Sequence, residues 1–170
     1  MAYWAFKRIY AIMSRFNYNH IMPITAEDIS TITRILKQIP LMAELNEDDH
    51  KEIIKHIVME YYPKDYVLFH EGDVGDAFFI IKRGVVRIFH EAPSPDEEQE
   101  VAMLGDADFF GEMALISDKP RNATSKTMEE SEVFKLNKDD FIQLVSSNPN
   151  MASRISSEFL KRLKLNMRNQ

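Results

Sequence analysis

Cysteine is absent from the 170 residues, which excludes a disulfide frame, a thiolate metal site, an iron–sulfur cluster and a Cys nucleophile, and fits a reducing, cytoplasmic setting. No apolar run approaches the ~18 residues of a membrane span. Lys7, Arg8 and Arg15 interrupt the N-terminus where a signal peptide needs a continuous apolar stretch. Positive charge is in the minority, 21 Lys and Arg against 27 Asp and Glu for a net charge of −6. There is therefore no general attraction for nucleic acid or an acidic membrane. The five histidines are scattered, without the His-x-His or His-x-x-x-His spacing of a metal site. No nucleophile and base are clustered, so an enzyme is not expected and no cofactor or metal is implied. Glycine is scarce, and all five lie between Gly72 and Gly111. Tight turns are concentrated there.

What is present is a globular composition, 45% hydrophobic and 28% charged, enough for one core. Phe6, Ile9, Met13 and Phe16 recur at the helical period and predict a first helix from Tyr3 to Phe16. Thr25 and Asp28 have capping-box spacing for a second helix to about Gln38, ended by Pro40. Asn46 can cap a third, whose first turn is Glu47, Asp48 and Asp49 and whose buried stripe is Ile53, Ile54 and Ile57. Beyond Ile57 the texture changes to short β-branched and aromatic runs punctuated by Gly and Pro. These predict strands at Val58–Tyr62, Tyr66–His70, Ala77–Lys82, Val85–Glu91, Gln99–Leu104, Ala123–Thr127 and Ser131–Leu136. Helix returns at Lys138–Ser146 and, past Asn148-Pro149, from Met151 to about Asn166, an amphipathic lid with Ile155, Phe159, Leu163 and Met167 spaced by four. The fold class is α+β: a jelly-roll-like antiparallel β-roll of about eight strands, with N-terminal helices and C-terminal lid helices.

Between the strands lies Phe109-Phe110-Gly111-Glu112-Met113-Ala114-Leu115-Ile116-Ser117-Asp118-Lys119-Pro120-Arg121-Asn122-Ala123-Thr124. Gly111 lets backbone approach a ligand, and the residues after it can form one helical turn with N–H groups directed at an anion. Pro120 fixes the direction of Arg121, whose guanidinium can give two parallel hydrogen bonds to phosphate oxygens. Glu112 would repel a phosphate but suits a ribose hydroxyl nearby. Together these residues describe a sugar phosphate.

In that position the segment resembles the phosphate-binding cassette of the cyclic nucleotide-binding domain family: Phe-Gly-Glu, a short apolar turn, then Pro-Arg, a small residue, Ala and Ser/Thr. The resemblance extends to Glu71-Gly72-Asp73, Gly84, Gly105 and the closing helices, over about Leu41 to Asn166. Its wording, Gly-Glu-Met-Ala-Leu-Ile-Ser, is similar to the binding domains of bacterial cyclic nucleotide-gated channels. The resemblance implies an N-terminal helical segment, 1–40, and a binding domain, 41–170. Gly111 and Glu112 would hold the ribose 2′-hydroxyl, Arg121 would pair with the cyclic phosphate, and the N–H groups of Ala114, Asn122 and Ala123 would complete the cradle. Thr124 would line the purine side, Ile88 would form an apolar floor, and Arg162 would reach back from the lid over the base. Asp65 and Ala107 stand where many members carry turn glycines, and Asn122 takes a slot usually held by Ala, Ser or Thr.

The implied function is a regulatory sensor of cAMP, with cGMP as the alternative ligand. Binding would be transmitted by rearranged helices to a second copy or an effector attached through the N-terminal helices. The alternatives are a fragment of a catabolite-activator-like transcription regulator, which needs a helix-turn-helix after the lid, and a non-binding interaction domain of the same fold.

Overall fold

The computed structural model describes residues 21–157. Nine strands are found among them, β1 (Ile21–Met22), β2 (Val58–Tyr62), β3 (Val67–Phe69), β4 (Ala77–Arg83), β5 (Val86–His90), β6 (Gln99–Leu104), β7 (Phe109–Phe110), β8 (Thr124–Thr127) and β9 (Ser131–Asn137). Every pairing is antiparallel. One sheet runs β1-β2-β9-β4-β7 and the other β3-β8-β5-β6. The helices are α1 (Ala26–Leu36), α2 (Glu47–Lys55) and α3 (Lys138–Ser147), with helix resuming over 149–157. The predicted first helix, the distal lid and Arg162 lie outside the described residues.

Both capping boxes form. The Asp28 N–H donates to Thr25 Oγ1 at 3.2 Å while Thr25 N–H donates to the Asp28 carboxylate at 2.9 Å. Asn46 and Asp49 make the reciprocal pair at α2, at 2.8 and 3.1 Å. Each box satisfies donors that the first helical turn would otherwise leave unpaired. Asp49 also accepts from Arg154 at 2.8 Å, tying α2 to the helical stretch 149–157.

Strand β4 explains why the roll has two cores. Its residues Ala77 to Ile81 are all buried, and because successive strand side chains face opposite ways, they divide between two clusters. Phe78 and Ile80 point into the larger one, with Ile32, Ile35 and Leu36 of α1, Ile53 and Ile54 of α2, Phe134 and Leu136 of β9, Phe141 of α3, and Met151 and Ile155. Ala77, Phe79 and Ile81 point into the roll, with Val86, Phe110 and Val133. The larger core passes through the expected boundary at residue 40 without a break, since Ile35, Leu36, Ile39, Leu41 and Met42 all belong to it. Asp65 and Ala107 take φ of 65° and 68°, the left-handed conformation that makes glycine the usual occupant of such turns.

Candidate functional site

The 109–124 segment begins as a strand and turns on Gly111. There φ is 78° and ψ 16°, and a Cβ would lie 2.7 Å from Arg121 Nη1 and 3.3 Å from the Ala77 carbonyl. Glycine is needed for its backbone angle and for the room it leaves the guanidinium. The residues that follow, Glu112–Leu115, make a short 3₁₀ turn. Leu115 fills the larger core, and the Ala114 N–H donates to the Gly111 carbonyl at 3.1 Å. Gly75 lies behind the turn, where a Cβ would meet Ala114 Cβ at 2.8 Å. The turn, Gly75 and the guanidinium are therefore packed as one unit.

Pro120 and Arg121 are strapped to the Glu71–Val74 turn. Arg121 N–H donates to the Asp73 carbonyl and Gly72 N–H to the Arg121 carbonyl, both at 2.8 Å, and Val74 bridges Pro120. This backbone clamp aims the Arg121 side chain inward, where the residue is only 8% exposed. Its Nη2 donates to the Ala77 carbonyl at 2.7 Å and lies 3.5 Å from Asp76 Oδ1. Its guanidinium carbon stands 4.0 Å from the centre of the Phe69 ring. Phe69 belongs to an aromatic group with Phe79 and Phe110, whose rings stack 5.1 Å apart. The buried Nε has no hydrogen-bond partner. Burial pulls the guanidinium below its ordinary pKa, opposed by Asp76 and Asp73. Even so, an arginine remains charged at neutral pH. A buried cation with an unpaired donor, braced on an aromatic face, can take an anion with two acceptor oxygens.

The remaining expected residues fall into three groups. Gly111, Ala114 and Arg121 come together as described. Glu112 is half-buried at the start of the turn, Asn122 is exposed beside Arg121, and Ala123 is buried. Ile88 and Thr124 lie on opposite faces of the four-stranded sheet. In the β5–β8 register Ile88 opposes Ser125, and Thr124 opposes Phe89. Directly opposed residues project from the same face, so Ser125 shares the inner face with Ile88 while Thr124 looks outward. The Thr124 hydroxyl accepts from Glu71 N–H at 2.8 Å and donates to the Glu91 carboxylate. Thr124, expected on the purine side, has a side chain that fastens the exit of the segment to the 70–73 turn and to Glu91, which also pairs with His70 at 2.6 Å.

Phe69, Asp76, the Ala77 carbonyl and Ser125 belong to no motif visible in the sequence. Phe69 and Asp76 flank the Glu71-Gly72-Asp73 turn. The side of β8 that faces inward follows only from its register with β5. One further contact ties the segment to the helices: Lys138 Nζ at the start of α3 donates to the Ser117 carbonyl at 2.9 Å and to the Asp118 carboxylate at 2.7 Å. No group of three or more His, Asp or Glu side chains placed to hold a metal ion occurs among the described residues. Nor is any helix among them long and apolar enough to cross a membrane.

Comparison with known proteins gives the family and the fold. The profile of the family described as the cyclic nucleotide-binding domain matches residues 59–148. A cyclic nucleotide-gated potassium channel of Rhizobium etli is 33% identical over 82% of this chain and 37% of its own length. Among solved structures, the N-terminal domain of a transcriptional regulator from Streptomyces coelicolor has a TM-score of 0.69 at 26% identity, covering 79% of this chain and 94% of that one. The regulatory domain of Toxoplasma gondii PKA with cAMP has a TM-score of 0.62 at 28% identity, over 71% of this chain and 45% of that one. The first two curated relatives illustrate how partial the overlap is, since the chain spans 16% of one and 59% of the other.

Proposed function

The chain belongs to the cyclic nucleotide-binding domain family, a regulatory ligand-binding module, and on that premise we propose that its 109–124 segment binds cAMP, with cGMP as the weaker ligand, and performs no chemistry of its own. The observation that carries the reading is Arg121, a buried guanidinium with an unpaired Nε, held by the Ala77 carbonyl and packed on Phe69 in space that Gly111 leaves open. Arg121 pairs with the cyclic phosphate. Gly111 and Glu112 take the ribose hydroxyl, the N–H groups of Asn122 and Ala123 face the phosphate, and Ile88 lies under the base. Ala114 joins the cradle only when its N–H exchanges the Gly111 carbonyl for a phosphate oxygen. Arg162 caps the base from the lid.

Transmission is mechanical. Leu115 of the turn shares the larger core with Phe141, Met151 and Ile155, and Lys138 grips the Ser117 carbonyl. A ligand that reshapes the turn changes the packing of α3 and of the stretch beyond it, shifting a balance between two arrangements. The N-terminal helices carry that shift to a second copy or an attached effector, and the cytoplasm is the setting where the nucleotide is met. Titration calorimetry with cAMP and cGMP tests the reading: micromolar or tighter binding, with a raised melting temperature, is expected. Unchanged melting with either nucleotide at millimolar concentration would overturn it.

A further inference from the structure

Ser125 is completely buried on the inner face of the roll, and its hydroxyl has no hydrogen-bond partner. The other two hydroxyls of β8 are committed. Thr127 Oγ1 donates to the Pro63 carbonyl at 2.6 Å and accepts from Tyr66 N–H at 2.9 Å. Thr124, on the outer face, is held by Glu71 and Glu91. A buried hydroxyl without a partner disfavours the fold on its own account, because its desolvation is uncompensated. An alanine would serve the packing as well. His50 Nδ1 is likewise unpartnered, but Ser125 is set apart by its place: it neighbours Phe69, on which the Arg121 guanidinium rests.

The register locates that face. Ser125 opposes Phe69 on one side and Ile88 on the other. Phe69 is the aromatic plate beneath the Arg121 guanidinium, and Ile88 is the residue assigned beneath the base. A nucleotide with its phosphate at Arg121 and its base over Ile88 spans the position of Ser125. We infer that the Ser125 hydroxyl hydrogen-bonds the purine of the bound nucleotide, an inference that rests on the cassette reading above. A hydroxyl donates to a ring nitrogen or accepts from an exocyclic amino group. Ser125 thus adds affinity for a purine of either kind, while discrimination between the two falls to other residues.

The test compares wild type and Ser125→Ala for binding of cAMP, cGMP and the base-free probe methyl riboside 3′,5′-cyclic phosphate, the last by competition. Loss of one neutral hydrogen bond weakens cAMP and cGMP by about two- to tenfold and leaves the base-free probe unchanged. The melting temperature of the variant without ligand should be equal to that of wild type or higher. Equal cAMP affinity in the two proteins overturns the inference. So does a loss of the same factor for the base-free probe, which would assign the hydroxyl to the ribose phosphate. If wild type bound no cyclic nucleotide, the cassette reading would fall and the inference with it. Wild-type binding that Ser125→Ala leaves intact would remove the inference alone.

Discussion

The two cores on either side of β4 are built from neighbouring residues of one strand, yet they differ in kind. The larger is made of aliphatic and aromatic side chains from all three helices and the five-stranded sheet, and Phe78, Ile80, Phe134 and Phe141 are at most 2% exposed. The smaller, inside the roll, is bordered by Arg121 with an unpaired Nε and Ser125 with an unpaired hydroxyl. An interior needed only for stability gains nothing from such groups, since each carries a desolvation cost without a compensating bond. Unpaired buried atoms are not confined to that side, since His50 Nδ1 at the larger core has no partner either; what sets the smaller core apart is a buried cation resting on its aromatic border beside the 109–124 segment. In the proposed mechanism the larger core is the transmitting one, because it joins the turn to the helices.

The contrast is tested most severely by truncating one residue from each side. Phe78→Ala removes a buried ring from the larger core and should destabilise the domain by about 3 to 5 kcal/mol, measured by urea unfolding. A cost below about 1 kcal/mol would mean that this core is not the stabilising one. Arg121→Ala should do the reverse. It should weaken cAMP by about 2 to 4 kcal/mol, through loss of a desolvated charge-assisted pair, while the variant melts close to wild type. Normal binding by that variant would show that the cassette has been wrongly assigned.

The larger core was more legible in the sequence than the smaller, for a physical reason. Helix caps are local, so Thr25 with Asp28 and Asn46 with Asp49 announced α1 and α2 within a few residues of their ends. Strand runs of five or more residues carry their own alternation, and Val58–Tyr62 and Gln99–Leu104 were read to the residue. Strands β1 and β7 were not read, because two residues have no period and exist only through pairing with β2 and β4. The site divides likewise. Gly111 and Arg121 are legible as a motif. That Ser125 rather than Thr124 shares the inner face of β8 with Ile88 depends on register with β5, a distant strand, and no local pattern announces it.

Asp28 is buried at the outer edge of the larger core with its carboxylate satisfied, and pH tests what that satisfaction contributes. Burial raises the Asp28 carboxyl, but the Thr25 N–H, Lys82 Nζ at 2.9 Å and the Thr25 hydroxyl outweigh it and hold the pKa below its ordinary value. A carboxylate depressed in the folded state stabilises the fold above its unfolded pKa, about 3.9. That stabilisation is lost as pH falls through the lower folded value. Acid should therefore erode stability progressively below about pH 4. Asp28→Asn should cost about 1 to 2 kcal/mol at neutral pH and flatten the acid limb of a melting-temperature profile. An acid limb identical to wild type would show that Asp28 contributes nothing to it.

The smallest expected effect concerns the border between the inner core and solvent, where Asn122 is exposed beside the buried Arg121. Its side-chain carbonyl can accept a hydrogen bond from the guanine 2-amino group, which adenine lacks, or its amide can donate to a phosphate oxygen and leave the base unread. Its position next to Arg121, strapped to the 71–74 turn, favours the phosphate. A neutral hydrogen bond contributes about 0.5 to 1.5 kcal/mol. Selectivity through this residue is thereby limited to about two- to tenfold. The expected outcome is a modest preference for cAMP in wild type. Asn122→Ala should weaken both nucleotides by similar factors, because the phosphate they share is what it touches. Paired titrations decide it: a wild-type preference for cGMP that disappears in Asn122→Ala would mean that this asparagine reads guanine, placing base discrimination at the solvent-exposed rim.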